Sequence, residues 1–160
     1  MAGRNNISVA IEKIWLPAAG RPALPTRDEA DQKLDIAVAF TSVKSTLAAL
    51  REAGTLAHSL GARIQLVVPQ VVLYPLPLES PPVLVEFNEN RFRVMVNQSS
   101  VETSVQIYLC RDRFETLAGV LKRGSIVILG GHKRWWPTKD QLLAWRLQRA
   151  GYEVLFKETD

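Results

Sequence analysis

Apolar and polar residues alternate along this chain in two rhythms, and the rhythms take turns. From Leu34 the run "LDIAVAF" is short and apolar on both sides, the pattern of a strand buried on two faces. The following "STLAALREAGTLAHSLG" places Leu47, Leu50, Leu56 and Leu60 on one helical face, with Ser45 at its start and Gly61 just beyond its end. "ARIQLVV" reads as the next strand, and a proline-rich loop runs from Pro69 to Pro82. "VEFNENRFRVMVNQ" is a weaker helix, with Phe92, Met95 and Val96 as its face. "TSVQIYLC" alternates Val105, Ile107 and Leu109 as a strand, and "DRFETLAGVLKRG" opens with Asp112 and Glu115 at capping-box spacing, ending at Gly124. "SIVILGG" is a strand with a glycine exit. "TKDQLLAWRLQRAG" is a helix with a second capping box, Thr138 and Gln141, closed by Gly151, and "YEVLFKE" is the last strand.

The sum is five strands separated by four helices. Strands alternating with helices of this length form parallel βαβ units with right-handed crossovers, which divides the helices between two faces of the sheet. The predicted fold is a doubly wound, open five-stranded parallel sheet in three α/β/α layers, spanning residues 34–160. Residues 1–33 differ. "ISVAIEKIW" alternates like a strand, and "LPAAGRPALPTRDEADQK" reads as an extended arm that either covers a sheet edge, reaches a partner subunit or is a frayed leader.

In such a sheet the carboxyl ends of the strands line the ligand crevice. The chain therefore gathers there Thr41, Ser42 and Lys44 after the first strand, Arg111 after the third, and Gly130, Gly131, His132, Lys133 and Arg134 after the fourth. Cations outnumber acids on that rim, Asp112 is assigned to its own helix cap, and helix N-termini add partial positive charge. A small anionic ligand is the expectation.

Composition narrows the chemistry. The 160 residues are 47% hydrophobic and 22% charged, with a formal net charge of +4, too mild to point to nucleic acid by itself. Arg91, Arg93, Arg111, Arg113, Lys122 and Arg123 extend a basic surface, but no recognised RNA motif interleaves aromatics with them, so nucleic acid is an unfavoured partner at this level. A single cysteine, Cys110, excludes an intramolecular disulfide, and with His58 and His132 as the only histidines a zinc site is not expected. Cys110, at a strand end beside Arg111, is expected to be buried and inert, and His58 to lie at or near the surface. Five prolines and a glutamate interrupt the most apolar stretch, Ile64–Val85, so no membrane helix is expected there. The opening "MAGRNNISVAIEKIW" lacks the apolar core of an export signal, and a cytoplasmic location is expected.

Two stretches resemble the universal stress protein family. "LDIAVAFTSVKSTLAALREAGTLAHSLGARIQLVV" is similar to that family's opening strand–helix–strand unit, with alanines at Ala48, Ala49, Ala53 and Ala57, and "SIVILGG" is similar to its fourth strand. The resemblance covers roughly Leu34 to Lys157 and implies an adenine-nucleotide α/β fold, often homodimeric, with members that bind ATP and members that do not. ATP-binding members place an aspartate after the first strand and a long glycine-rich loop after the fourth. Here Phe40 or Thr41 stands in the acid's place, and Lys133 or Arg134 where the second glycine belongs. Trp135, Trp136 and Pro137 fill the stretch that would need bare main chain.

The resulting expectation is a non-enzymatic binding or regulatory module with a degenerate nucleotide or anion site, binding ATP or another adenine nucleotide weakly if at all. The competing readings are a nucleotide-dependent enzyme using the same basic rim and a protein-interaction scaffold in which the N-terminal arm and the tryptophans meet another protein, with "YEVLFKE" available to pair with its symmetry mate. Of the two tryptophans, one is expected to pack under the helix start as a staple with Leu142 or Leu143. The other is expected to be exposed beside Lys133 and Arg134, placed to stack on a base or dock a partner.

Overall fold

The computed structural model describes residues 9–15 (main chain), 34–74, 91, 92, 94 and 101–160. In chain order these form β1 (Val9–Trp15), β2 (Asp35–Ala39), α1 (Val43–Leu60), β3 (Arg63–Val71), β4 (Thr103–Cys110), α2 (Arg113–Val120), β5 (Ile126–His132), α3 (Lys139–Arg149) and β6 (Glu153–Thr159). The sheet order is β1-β4-β3-β2-β5-β6. β4, β3, β2, β5 and β6 are mutually parallel, as the alternation of strands and helices requires. β1 is added antiparallel along β4, with Ile11 opposite Ile107, so the leading segment covers that edge of the sheet. Arg91, Phe92 and Val94 are helical. The rest of the helix expected there, the proline-rich loop beyond Tyr74, and residues 16–33 lie outside the described residues.

The period-two alternation of the strands sorts the core into two layers. Ile36, Val38, Ile64, Leu66, Val105, Ile107 and Ile128 point to the face covered by α1. Ala37, Ala39, Val67, Val127 and Leu129 point to the face covered by α2 and α3. α1 seats most of its leucine stripe: Leu50 is buried and Leu47 and Leu56 pack partly buried against the core, while Leu60 is half exposed. The other buried residues are Ser45, Thr46, Ala49, Ala53 and Ala57, small side chains that let the helix lie close against the sheet. The helix starts at Ser42, whose hydroxyl accepts from the Ser45 amide, and ends at Gly61 with φ 63°. Ser45, assigned to the start by sequence, is inside the first turn and buried.

β3 runs through Pro69 to Val71 rather than stopping before the proline. The reason lies in the ladder. Ile64 donates to Glu102 and Val72 to Cys110, so even-numbered amides face β4 and the missing N–H of Pro69 faces the other side. β2 pairs with β3 only as far as Val67, so no donor is needed there. α2 is capped by Asp112, whose carboxylate accepts from the Glu115 amide at 2.8 Å, and it ends at Val120. Gly124, expected to end that helix, instead sits in the turn beyond it with φ 75°. At α3 both halves of the Thr138–Gln141 capping box form. No helix of the described residues is long and apolar enough to cross a membrane.

Candidate functional site at the carboxyl ends of the strands

The sheet has its switch point between β2 and β5. α1 leaves β2 toward one face and α3 leaves β5 toward the other, so a crevice is expected between them. The chain fills much of that place with its own atoms. β2 pairs with β5 up to Ala39 and Leu129, and where β2 turns away the Thr41 hydroxyl continues the ladder, donating to the Gly130 carbonyl at 2.7 Å. The Thr41 amide in turn donates to the buried Thr46 hydroxyl at 3.1 Å. Ser45 and Thr159 hydroxyls meet at 3.0 Å, and Lys44 Nζ donates to the main-chain oxygen of Asp160. Of the predicted site residues, Thr41, Ser42 and Lys44 are therefore gathered at the helix head, and each is engaged within the protein.

Gly130 and Gly131 are not a loop. Both lie inside β5, buried, opposite Lys157 and Glu158 of β6, and neither has a positive φ. What they provide is the absence of a side chain. A Cβ on Gly130 would stand 2.0 Å from the Ser45 carbonyl oxygen, and one on Gly131 2.5 Å from the Phe156 ring, with Asp140 close behind. The first glycine lets α1 touch the sheet and the second admits Phe156. The expected glycine exit is corrected accordingly: these are packing glycines, with main-chain groups committed to the strand.

His132 ends β5, and its Nδ1 lies 3.2 Å from the Thr159 carbonyl. Lys133 makes an exposed pair with Glu158 at 3.7 Å, worth little in water. Arg134 and Lys139 have no hydrogen bond or ion pair among the described residues. Trp135 and Trp136 are both exposed, at 101% and 84%. The staple expectation thus fails, and the reason is positional. With Thr138 as N-cap, the residue before it is Pro137, and its natural partner Leu142 is itself half exposed, so no indole is drawn under the helix.

The open basic region lies beside the switch point, on the face carrying α2 and α3. Arg111, Arg113, Lys139 and Arg146 line a cleft of about 300 Å³ together with Phe114 and Leu143. Arg113 pairs with Asp140 at 3.2 Å, and the Arg146 guanidinium lies 4.0 Å from the centre of the Phe114 ring. Arg111 donates to the Val72 carbonyl at 2.7 Å and lies over Tyr74. A second cleft of about 430 Å³ shares Lys139 and adds His132, Arg134 and Trp136. Sequence reasoning had placed Arg111 and Arg134 on the rim but missed Lys139 and Arg146. Their spacing with Leu142 puts them on one side of α3, and only the packing of α3 beside α2 brings that side against Arg113.

Cys110 is fully buried, and burial raises its thiol above the ordinary value, outweighing the Thr116 hydrogen bond that acts the other way. That disfavours the thiolate a nucleophile needs. At the opposite end of the sheet a polar cleft of about 240 Å³ is lined by the Asp35–Arg63 pair, Gln65, Ser104, Gln106 and Lys122, a grouping that the sequence did not signal. Comparison of the chain with protein-family models, with curated proteins and with solved structures finds no match, so its chemistry rests on these residues alone.

Proposed function

We propose that this chain is a universal-stress-protein-like, non-enzymatic binding or regulatory module whose nucleotide site is degenerate and whose anion contact is the basic cleft between α2 and α3. The single observation that supports this most is the burial of Gly130 and Gly131 within β5. A phosphate loop needs main-chain amides free to turn toward the ligand, and here that main chain is a packed strand. Lys139 and Arg134, which lack partners among the described residues, offer point charges instead. Titration calorimetry with ATP, ADP, AMP, cyclic nucleotides and pyrophosphate tests the reading. Weak binding common to the phosphate-bearing ligands, lowered by Lys139→Ala, is expected. Tight, ATP-selective binding indifferent to Lys139 overturns it.

A second reading concerns assembly. β6 is the last strand of the sheet and carries Leu155 at 43% exposure, whereas β1 covers the opposite edge. An edge with no neighbouring strand among the described residues and an apolar centre favours a homodimer formed by two β6 strands. Light scattering on the full chain and on a Leu155→Lys variant tests it. Two copies in the first and one in the second are expected; a monomer in both sinks it.

A further inference from the structure

We propose that the Trp135–Trp136 connection and the cations beside it form a binding surface for a single-stranded nucleic-acid segment. This rests on the anion-module reading and names the ligand class it serves. Two adjacent indoles exposed at 101% and 84% make an apolar patch with no packing task among the described residues. The local helix start does not need them, because the Thr138–Gln141 box closes its donors. Trp136 shares its cleft with Arg134 and Lys139, and Lys139 joins that cleft to the one lined by Arg111, Arg113 and Arg146. Asp112 and Asp140 also line these clefts, the first capping α2 and the second paired with Arg113, so among the described residues Arg111, Arg134, Lys139 and Arg146 remain as the cations not offset by a paired acid. Half-exposed Leu142 adds an apolar side chain to the cleft that Lys139 shares.

Charge and ring chemistry together select the occupant. An acidic peptide matches the cations but offers no regular ring faces to the indoles. A duplex presents phosphates but keeps its bases stacked on one another. A mononucleotide supplies one base and one phosphate group for a surface that spans two clefts. A single strand repeats both features, a phosphate and a free π-face at every residue, which is how sequence-tolerant single-strand sites work. A few local cations, Arg111, Arg134, Lys139 and Arg146, predict modest affinity with clear salt dependence.

The test is fluorescence anisotropy with labelled thymidine and uridine oligomers of roughly 12 nucleotides. A duplex of the same length, inorganic polyphosphate and an acidic peptide serve as competitors, at about 50 mM and about 200 mM salt. Single strands are expected to bind, to quench tryptophan emission and to weaken with salt. Trp136→Ala should lower affinity about tenfold and Trp136→Phe restore most of it, since a phenyl ring still stacks. Arg134→Ala and Lys139→Ala should flatten the salt dependence. Both indoles are exposed, so these variants should melt with the parent, which the same samples check. Three outcomes overturn the proposal. Polyphosphate binding as tightly as the oligomers, with Trp136→Ala silent, leaves the anion module standing without the nucleic acid. Preference for the duplex or the peptide excludes a single strand as the occupant. Binding of none of these ligands removes both readings.

Discussion

At the boundary between β2 and β5, Thr41, Ser42, Lys44 and Ser45 turn their polar atoms to the protein itself. Along the Lys133–Pro137 connection, Arg134, Trp135 and Trp136 face water. Both regions lie at the carboxyl end of one sheet, where topology puts a ligand, yet one is closed and the other open. The difference lies in glycine. At Gly130 the missing side chain lets α1 press against β5, and the helix head that would meet an anion is engaged by Thr159 and Asp160 instead. Where β5 ends, bulky and charged residues hold the chain away from any neighbour. Two places at the same end of one sheet thus differ in how far their polar groups are already used by the protein.

The comparison breaks most sharply at Gly130. Gly130→Ala drives a methyl to 2.0 Å from a main-chain oxygen that cannot move without α1. A loss of about 3 kcal/mol is expected. At about 2–4 °C per kcal/mol that lowers the melting temperature by roughly 6–12 °C. Thermal unfolding at unchanged temperature would mean the closed region is not closed. Gly131→Ala meets the far end of the Phe156 ring, which can swing aside, so chemical denaturation should read a smaller loss, about 1–2 kcal/mol. Thr138→Ala removes half of a capping box in the open region and should cost about 1 kcal/mol by the same measurement. If it costs nothing, the box is not what frees the tryptophans. Lys139→Ala should change stability by less than about 0.5 kcal/mol while weakening pyrophosphate binding in calorimetry.

Cys110 sharpens the closed side through pH. Its folded thiol titrates above the ordinary value of 9.0 that the unfolded chain shows, so the folded state keeps its proton longer. That contribution to stability is intact below pH 9.0 and is lost as pH rises from there through the folded value. Unfolding titrations should show the decline shrink in Cys110→Ala, and a thiol reagent should react with the native protein only as fast as it opens. Rapid labelling at neutral pH would contradict the burial.

Much of the site's address was legible and little of its content. The alternation from Leu34 onward is enough to place Thr41, Arg111 and His132 at one end of the sheet, because strands joined by intervening helices run parallel and all finish at that end. The same pattern placed Leu50 in the core but did not signal the small residues, Ser45, Thr46, Ala49, Ala53 and Ala57, that come closest to the sheet. Leucines carry the strong apolar signal, but alanines fit a close approach, and how close a helix approaches is set by its partner strand. The two glycines after Leu129 read as a loop because local sequence does not say whether glycine is present for its φ range or for its lack of Cβ. Only the Ser45 carbonyl and the Phe156 ring, distant along the chain, distinguish the two.

By itself the sequence determined five parallel strands, the helices of residues 43–60, 113–120 and 139–149, and the caps at Asp112, Thr138 and Gly61; the helices and caps depend on residues within a few positions of one another, and the parallel direction on the strand–helix alternation. The tertiary structure decided what those elements meet. It joined β1 to β4, set Gly130 against α1, left both indoles in water and brought Lys139 and Arg146 opposite Arg113. Such contacts depend on distances between segments far apart in the chain, and no local period carries that information.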